Sequence, residues 1–194
     1  MNRILVAVAG GVLTGVFTAA AAGDAPGSAD HPEIGRYEGS SIIDYKVEDY
    51  GKTVFATGPV KKEADAEITA LAVEGRVTRI VYQVPKGVSV LEVFRNFEAR
   101  ARERNFEVAF SGGPSEIKDY TFKYKHPVEV LREAEIGNGI HYFLARKEVS
   151  GVTHYVSVLV APHGGGQGVR VGLIAAETTP MAMQMVDAKQ MALS

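Results

Sequence analysis

The sequence predicts an α+β domain, a mostly antiparallel sheet with one main amphipathic helix (about residues 89–104) packed on one face and a C-terminal three-strand meander. Three observations predict it. Short runs alternate apolar and polar residues, as in "SIIDYKV" and "GRVTRIVYQVP". One stretch, "SVLEVFRNFEARARERN", repeats its apolar residues at helical spacing. Three strand-like runs near the C-terminus are separated only by "SG" and "HGGGQG", connections short enough to force antiparallel neighbours. With 194 residues and 46% hydrophobic content, the chain has apolar material for one well-buried core.

At the N-terminus, "MNR" is positive, "ILVAVAGGVLTGV" carries no charge, and "FTAAAA" ends in small residues. Residues 1–22 therefore read as a secretory signal peptide cut after Ala22, because the uncharged run of about 13 residues is shorter than the roughly 20 of a spanning helix. No transmembrane span is expected after processing. Residues 23–36, rich in Gly, Pro, Ser and Asp, read as a flexible leader into a single domain over 37–180.

"SIIDYKV" places Ile43, Tyr45 and Val47 on one strand face, "YGK" (Tyr50 to Lys52) reads as a turn, and "TVFATG" as the returning strand. Charged, non-periodic residues from Pro59 to Glu67 read as a surface loop. In the next strand Thr78, Ile80, Tyr82 and Val84 share one face and Val77, Arg79, Val81 and Gln83 the other, until Pro85 stops the ladder. The helix opens at Ser89, with Glu92 at capping-box spacing, buries Val90, Phe94, Phe97 and Ala101, and closes at Asn105. Arg95, Glu98, Arg102 and Glu103 form its solvated face. "FEVAF" is a short strand, and "HPVEVLREAE" allows a short helix from Pro127. The three closing strands are "IHYFLARKEV", "THYVSVLVAP" and "GVRVGLIAAET".

Composition excludes several function classes. The net charge of -2 comes from 21 basic and 23 acidic residues without a like-charge block, so no basic stripe is present for nucleic acid. The absence of cysteine removes disulfides, thiolate nucleophiles and zinc ribbons. "YGKT" fails as a phosphate-binding loop because the required upstream glycine falls at Lys46. The histidines His31, His126, His141, His154 and His163 show no ligand spacing; simple hairpins would set His154 opposite Glu177, a pair suited either to a metal or to a hydrogen bond.

"HGGGQG" resembles the oxyanion-hole turn of some esterases, but no G-x-S-x-G nucleophile turn exists in the chain and none could follow so near its end. The stretch reads as the tip between two strands, where glycines supply the positive φ of a tight reversal. Bare amides at His163, Gly164, Gly165 and Gly166, with Arg170 nearby, remain a candidate anion or partner contact. No catalytic, cofactor or metal residues are assigned. Met181, Met183, Met185 and Met191 make residues 181–194 either an adaptable contact tail or a short helix on the domain.

"DHPEIGRYEGSSIIDYKV", "GRVTRIVYQVPKGVSVLEVFRNFEARARERNFEVAFS" and "HYVSVLVAPHGGGQGVRVGLIAAETTPM" together resemble the N-terminal periplasmic domain of Gram-negative OmpA-family proteins, over about residues 30–190. The resemblance implies an exported periplasmic module, associated with the outer membrane and without enzymatic activity. Its partners would be an outer-membrane or other envelope protein, or a cell-wall component. The chain ends at "VDAKQMALS", where the linker to a peptidoglycan-binding OmpA-like module would begin, and it lacks that module's Asp and Arg pair. An exported hydrolase or small-anion-binding enzyme using the His163 to Arg170 loop is the alternative expectation.

Overall fold

A computed structural model describes residues 23–118, 139–164 and 166–181. The signal peptide, the short helix at Pro127, Gly165 and residues 182–194 lie outside the described residues. The elements in order are β1 (Ser41–Ala56), α1 (Glu63–Ile68), β2 (Ala70–Val84), α2 (Val90–Glu103), β3 (Glu107–Gly112), β4 (His141–Val149), β5 (Val152–Pro162) and β6 (Val169–Thr178). The six strands form one antiparallel sheet in the order β1-β2-β6-β5-β4-β3. Among the described residues no helix is long and apolar enough to cross a membrane.

Both faces of the sheet are buried, which explains why β5 and β6 carry nearly continuous apolar runs instead of clean alternation. One face holds Ile80, Tyr82, Phe143, Val156, Val158 and Leu173, packed with α2 through Phe94, Phe97 and Ala101 and with the leader through Ile34. The other holds Val77, Val81, Tyr142, Leu144, Leu159 and Ile174, packed with Phe55, Val60, Ala66 and Ile117.

The first face depends on α2. Ser89 Oγ accepts the Glu92 amide at 3.1 Å and starts the helix. Asn105 at φ 62° ends it, while the Phe106 amide reaches back to the Ala101 carbonyl at 2.9 Å. Because the helix connects β2 to β3 at the far edge of the sheet, it must cross that face; it packs on β3, β4 and β5. Glu98, expected on the solvated side, is buried between Arg95 (2.6 Å) and Arg102 (3.4 Å). Burial raises its carboxyl, but hydrogen bonds from Ser111 and Arg95 and the nearby guanidinium charges outweigh that and hold it below the ordinary carboxylate range.

The leader read as flexible carries specific contacts instead. Arg36 binds Asp24 and Asp30 at 2.8 Å, Asp24 accepts the Ile42 amide at 2.8 Å, Tyr82 donates to Asp30 at 3.2 Å, and Ile34 is 4% exposed. Residues 24–40 thus form a strap over the sheet, and the core begins before residue 37. Glycine, proline and serine content signalled loop backbone correctly but says nothing about whether a loop docks.

The second face is covered differently from the expected hairpin. Tyr50 to Lys52 is no turn: β1 runs on through it, with register jumps between Ile42 and Asp44 and between Glu48 and Gly51. Opposite the second jump stands Gly75, at φ 147°, where β2 first meets β6 at Thr178. Beyond this point residues 52–56 and 70–74 pair only with each other and form an arm. The arm lies across the face: Phe55 stacks on Tyr155 of β5 at 5.7 Å between ring centroids, and the Ala56 amide donates to the Tyr142 hydroxyl of β4 at 3.2 Å. Val60 then bridges to Ile117, past the end of β3, through amides at 2.9 and 2.7 Å. The Pro59 to Glu67 segment, expected as loop, contains α1, started by the Asp65 carboxylate accepting the Lys61 and Lys62 amides at 3.0 Å.

A Cβ on Gly75 would meet the Glu177 carbonyl oxygen at 2.0 Å, so no side chain fits there. Gly75→Ala is expected to cost about 3 kcal/mol or more in urea unfolding, against about 1–2 kcal/mol for Gly87→Ala. Gly87 shares a positive φ but faces open space. Equal losses at the two positions would show that the bend does not require glycine.

Candidate functional site

The glycine loop joins β5 to β6 and packs against the end of β2. The His163 amide donates to the Gly168 carbonyl at 2.9 Å and the Gly166 amide to the His163 carbonyl at 3.2 Å, so both amides close the loop on itself. Gly168, at φ 104°, brings its backbone so near Val84 that a Cβ would stand 2.7 Å from the Val84 oxygen. Arg170 is placed by β6, directly across from Gln83. Its guanidinium donates to Gln83 Oε1 and, at 3.3 Å, to His163 Nε2. Arginine has no acceptor, so it donates in both contacts. Gln83 Nε2 in turn donates to the carbonyls of Val84 and Gln167 at 2.6 and 3.1 Å. Of the candidate residues His163, Gly164, Gly166 and Arg170, the structure brings the histidine and arginine together through a network that fastens the hairpin tip to β2. Gly165 lies outside the described residues.

A second polar constellation stands at the opposite end of the sheet. His154 faces Glu177 in the β5–β6 ladder, as hairpin pairing requires, with Nδ1 3.8 Å from Oε1. Lys147 lies beside His154, and Arg76 beside Glu177, giving the row Lys147, His154, Glu177, Arg76 across four strands. The strap covers the Lys147 end of this row. Glu33 forms an ion pair with Lys147, whose Nζ also sits 4.5 Å from the centre of the Phe106 ring. His31 Nδ1 accepts the amides of Glu33 and Ile34 at 3.3 and 3.2 Å. Burial is the main cause that lowers its pKa below 6.5; Lys147 and His154 add to the shift, while Glu33 and Glu177 oppose it. A cleft of about 220 Å³ opens beside the ring, lined by Asp30, Tyr45, Arg76, Thr78 and Glu177 among others.

The row was legible only in part. Alternation sets Lys147 on the face of Phe143 and Ala145, His154 with Val156, and Glu177 with Ala175, so the polar ends of these strands could have been aligned from sequence. His31 and Glu33 had no such signal, because the strap has no period. Among the described residues no three His, Asp or Glu side chains are grouped to hold a metal ion. The acidic pair Glu48 and Asp49 is split: Glu48 binds the buried Arg79, which holds its carboxyl below the ordinary range, while Asp49 stays exposed 3.8 Å from Arg76.

No family model and no curated protein sequence matches the chain.

In a double-mutant cycle, Arg170→Ala and Gln83→Ala are expected to couple by about 1 kcal/mol or more in unfolding free energy, the usual worth of a charge-assisted hydrogen bond. Additive losses would mean that Arg170 is not committed to the loop.

Proposed function

We propose that the protein is a non-catalytic, exported cell-envelope module, working in the periplasm by contact with an envelope partner at or near the outer membrane. The observation that carries this reading is the commitment of its reactive-looking groups to pairs that hold the fold. Arg170 is tied to Gln83 and His163, Lys147 to Glu33, and Arg79 to Glu48. In each pair the cation joins two different elements of the fold. Export is the reading of the N-terminal 22 residues, and the periplasmic role is what the resemblance to OmpA-family N-terminal domains implies.

The contact surface is best supported at the β1–β2 hairpin. Ile43 and Tyr50, at the two register jumps of β1, are 41% and 45% exposed, and Ile68 at the end of α1 is 80% exposed. Bulges and the charges of Asp44, Lys46 and Asp49 blunt the strand edge against plain edge-to-edge pairing, which favours side-chain contact over strand addition. The fitting partners are an outer-membrane or other envelope protein, or a cell-wall component; the C-terminal meander and its helix are the rigid frame behind that surface.

A hydrolase or small-anion-binding enzyme at the His163 to Arg170 loop is the second reading, favoured by the 3.3 Å approach of the two side chains. Both readings are tested together. A photo-crosslinking residue at position 43, 50 or 68, in the exported chain in a Gram-negative host, is expected to give discrete adducts with envelope components, and one at the exposed helix position 99 none. Absence of adducts at all three hairpin positions would overturn the contact reading. Esterase or phosphatase turnover by the purified chain, lost in His163→Ala, would install the second reading in its place.

A further inference from the structure

We propose that residues 24–40 form an acid-released lid, latched by His31, over the Lys147 end of the charged row and one wall of the cleft beside it. The proposal concerns this region alone and holds whichever surface meets a partner.

The latch is geometric. The strap turns sharply at residues 31–34, and that turn delivers Ile34 into the core and Glu33 onto Lys147. Two amides inside it, those of Glu33 and Ile34, point at one acceptor, the Nδ1 lone pair of His31. A protonated imidazole has no lone pair and becomes a donor at both nitrogens, so it faces these two amide hydrogens as a repulsive neighbour. Four charged or titratable groups surround the ring: Glu33 on the strap, Lys147 on β4, His154 on β5 and Glu177 on β6. Lys147 and His154 oppose a charge on it, and partial burial opposes it more.

The direction follows from linkage. The docked strap binds His31 in its neutral form, so the group has a lower pKa docked than undocked. Its contribution to docking is fully present above the ordinary value of 6.5 and is lost as pH falls through the docked value. Asp24, through its hydrogen bond from Arg36, is held below the usual carboxylate range and keeps its tie to Arg36 in that window. Acid therefore acts first at the turn. Releasing the turn withdraws Ile34, frees Lys147 from Glu33, and widens the cleft on the side of Thr78. The ends of the strap keep their Arg36 ties to Asp24 and Asp30, as a lid requires.

The test is hydrogen exchange and histidine titration by NMR on the full chain. Protection of the Glu33 and Ile34 amides, relative to amides of β5, is expected to fall between about pH 7.5 and pH 5, about tenfold for each unit by which docking lowers the His31 pKa. The fall should lie between 6.5 and the pH at which the docked His31 ring titrates. In His31→Asn, which offers an acceptor that does not titrate, protection should become flat over the same range, while His154→Gln should keep the transition. Undiminished protection of the parent at about pH 5 would overturn the proposal. So would a transition that persists in His31→Asn, that vanishes in His154→Gln, or that lies outside the interval between 6.5 and the titration of the docked His31 ring. If His31→Asn fails to dock its strap, whether the fall in the parent lies inside or outside that interval decides the question.

Discussion

The close approach of Gly75 to the Glu177 carbonyl is the constraint on which the rest of the molecule depends. At that point β2 must stay bonded to β1 and yet leave β6, and the backbone conformation that does both admits no side chain. The one extra residue of β1 between Glu48 and Gly51 lengthens the opposing strand where the bend falls. Without the bend, the hairpin would extend into solvent and Val77, Val81, Leu159 and Ile174 would lose the cover of Phe55 and Val60. Burying one such aromatic side chain stabilises by about 1.5–3 kcal/mol, so the arm contributes through several residues what no single contact supplies. Tyr142 joins the two layers: burial pushes its phenol well above the ordinary range, keeping the neutral hydroxyl that accepts the Ala56 amide.

The opposite face obeys the same demand by other means. A helix that crosses from β2 to β3 covers β3, β4 and β5, and the strap covers much of what remains. Strap and helix meet at Lys147, with Glu33 on one side and the Phe106 ring beneath it. Charges enter this arrangement where a buried strand row reaches the rim of the sheet, and each is met by a partner from a different element. Such polar groups act as fasteners between layers, which is why the functional reading rests on surface contact and not on chemistry at a single centre.

How much of this the sequence disclosed follows from which signals are local. Helix α2 was legible at both ends, because Ser89 and Asn105 act within one turn of the backbone they cap. The three closing strands and the pairing of His154 with Glu177 were legible because tight connections fix register. The His163 and Arg170 pairing was anticipated as proximity, but not the role of Gln83, which comes from a strand more than eighty residues earlier. Tyr50 to Lys52 was read as a turn because a glycine between polar residues marks a reversal and a bulge alike; only the partner strand distinguishes them. The strap and α1 escaped for a related reason: Ile34 and Ala66 are single apolar anchors, and one anchor has no period.

The account is tested most directly by proton NMR contacts across the folded-over arm. It predicts strong nuclear Overhauser effects between the rings of Phe55 and Tyr155 and between the Ala56 amide and the Tyr142 ring, alongside an intact Gly75 to Thr178 strand pairing. A β1–β2 ladder in correct register that shows neither contact, with the Phe55 ring open to solvent, would contradict it.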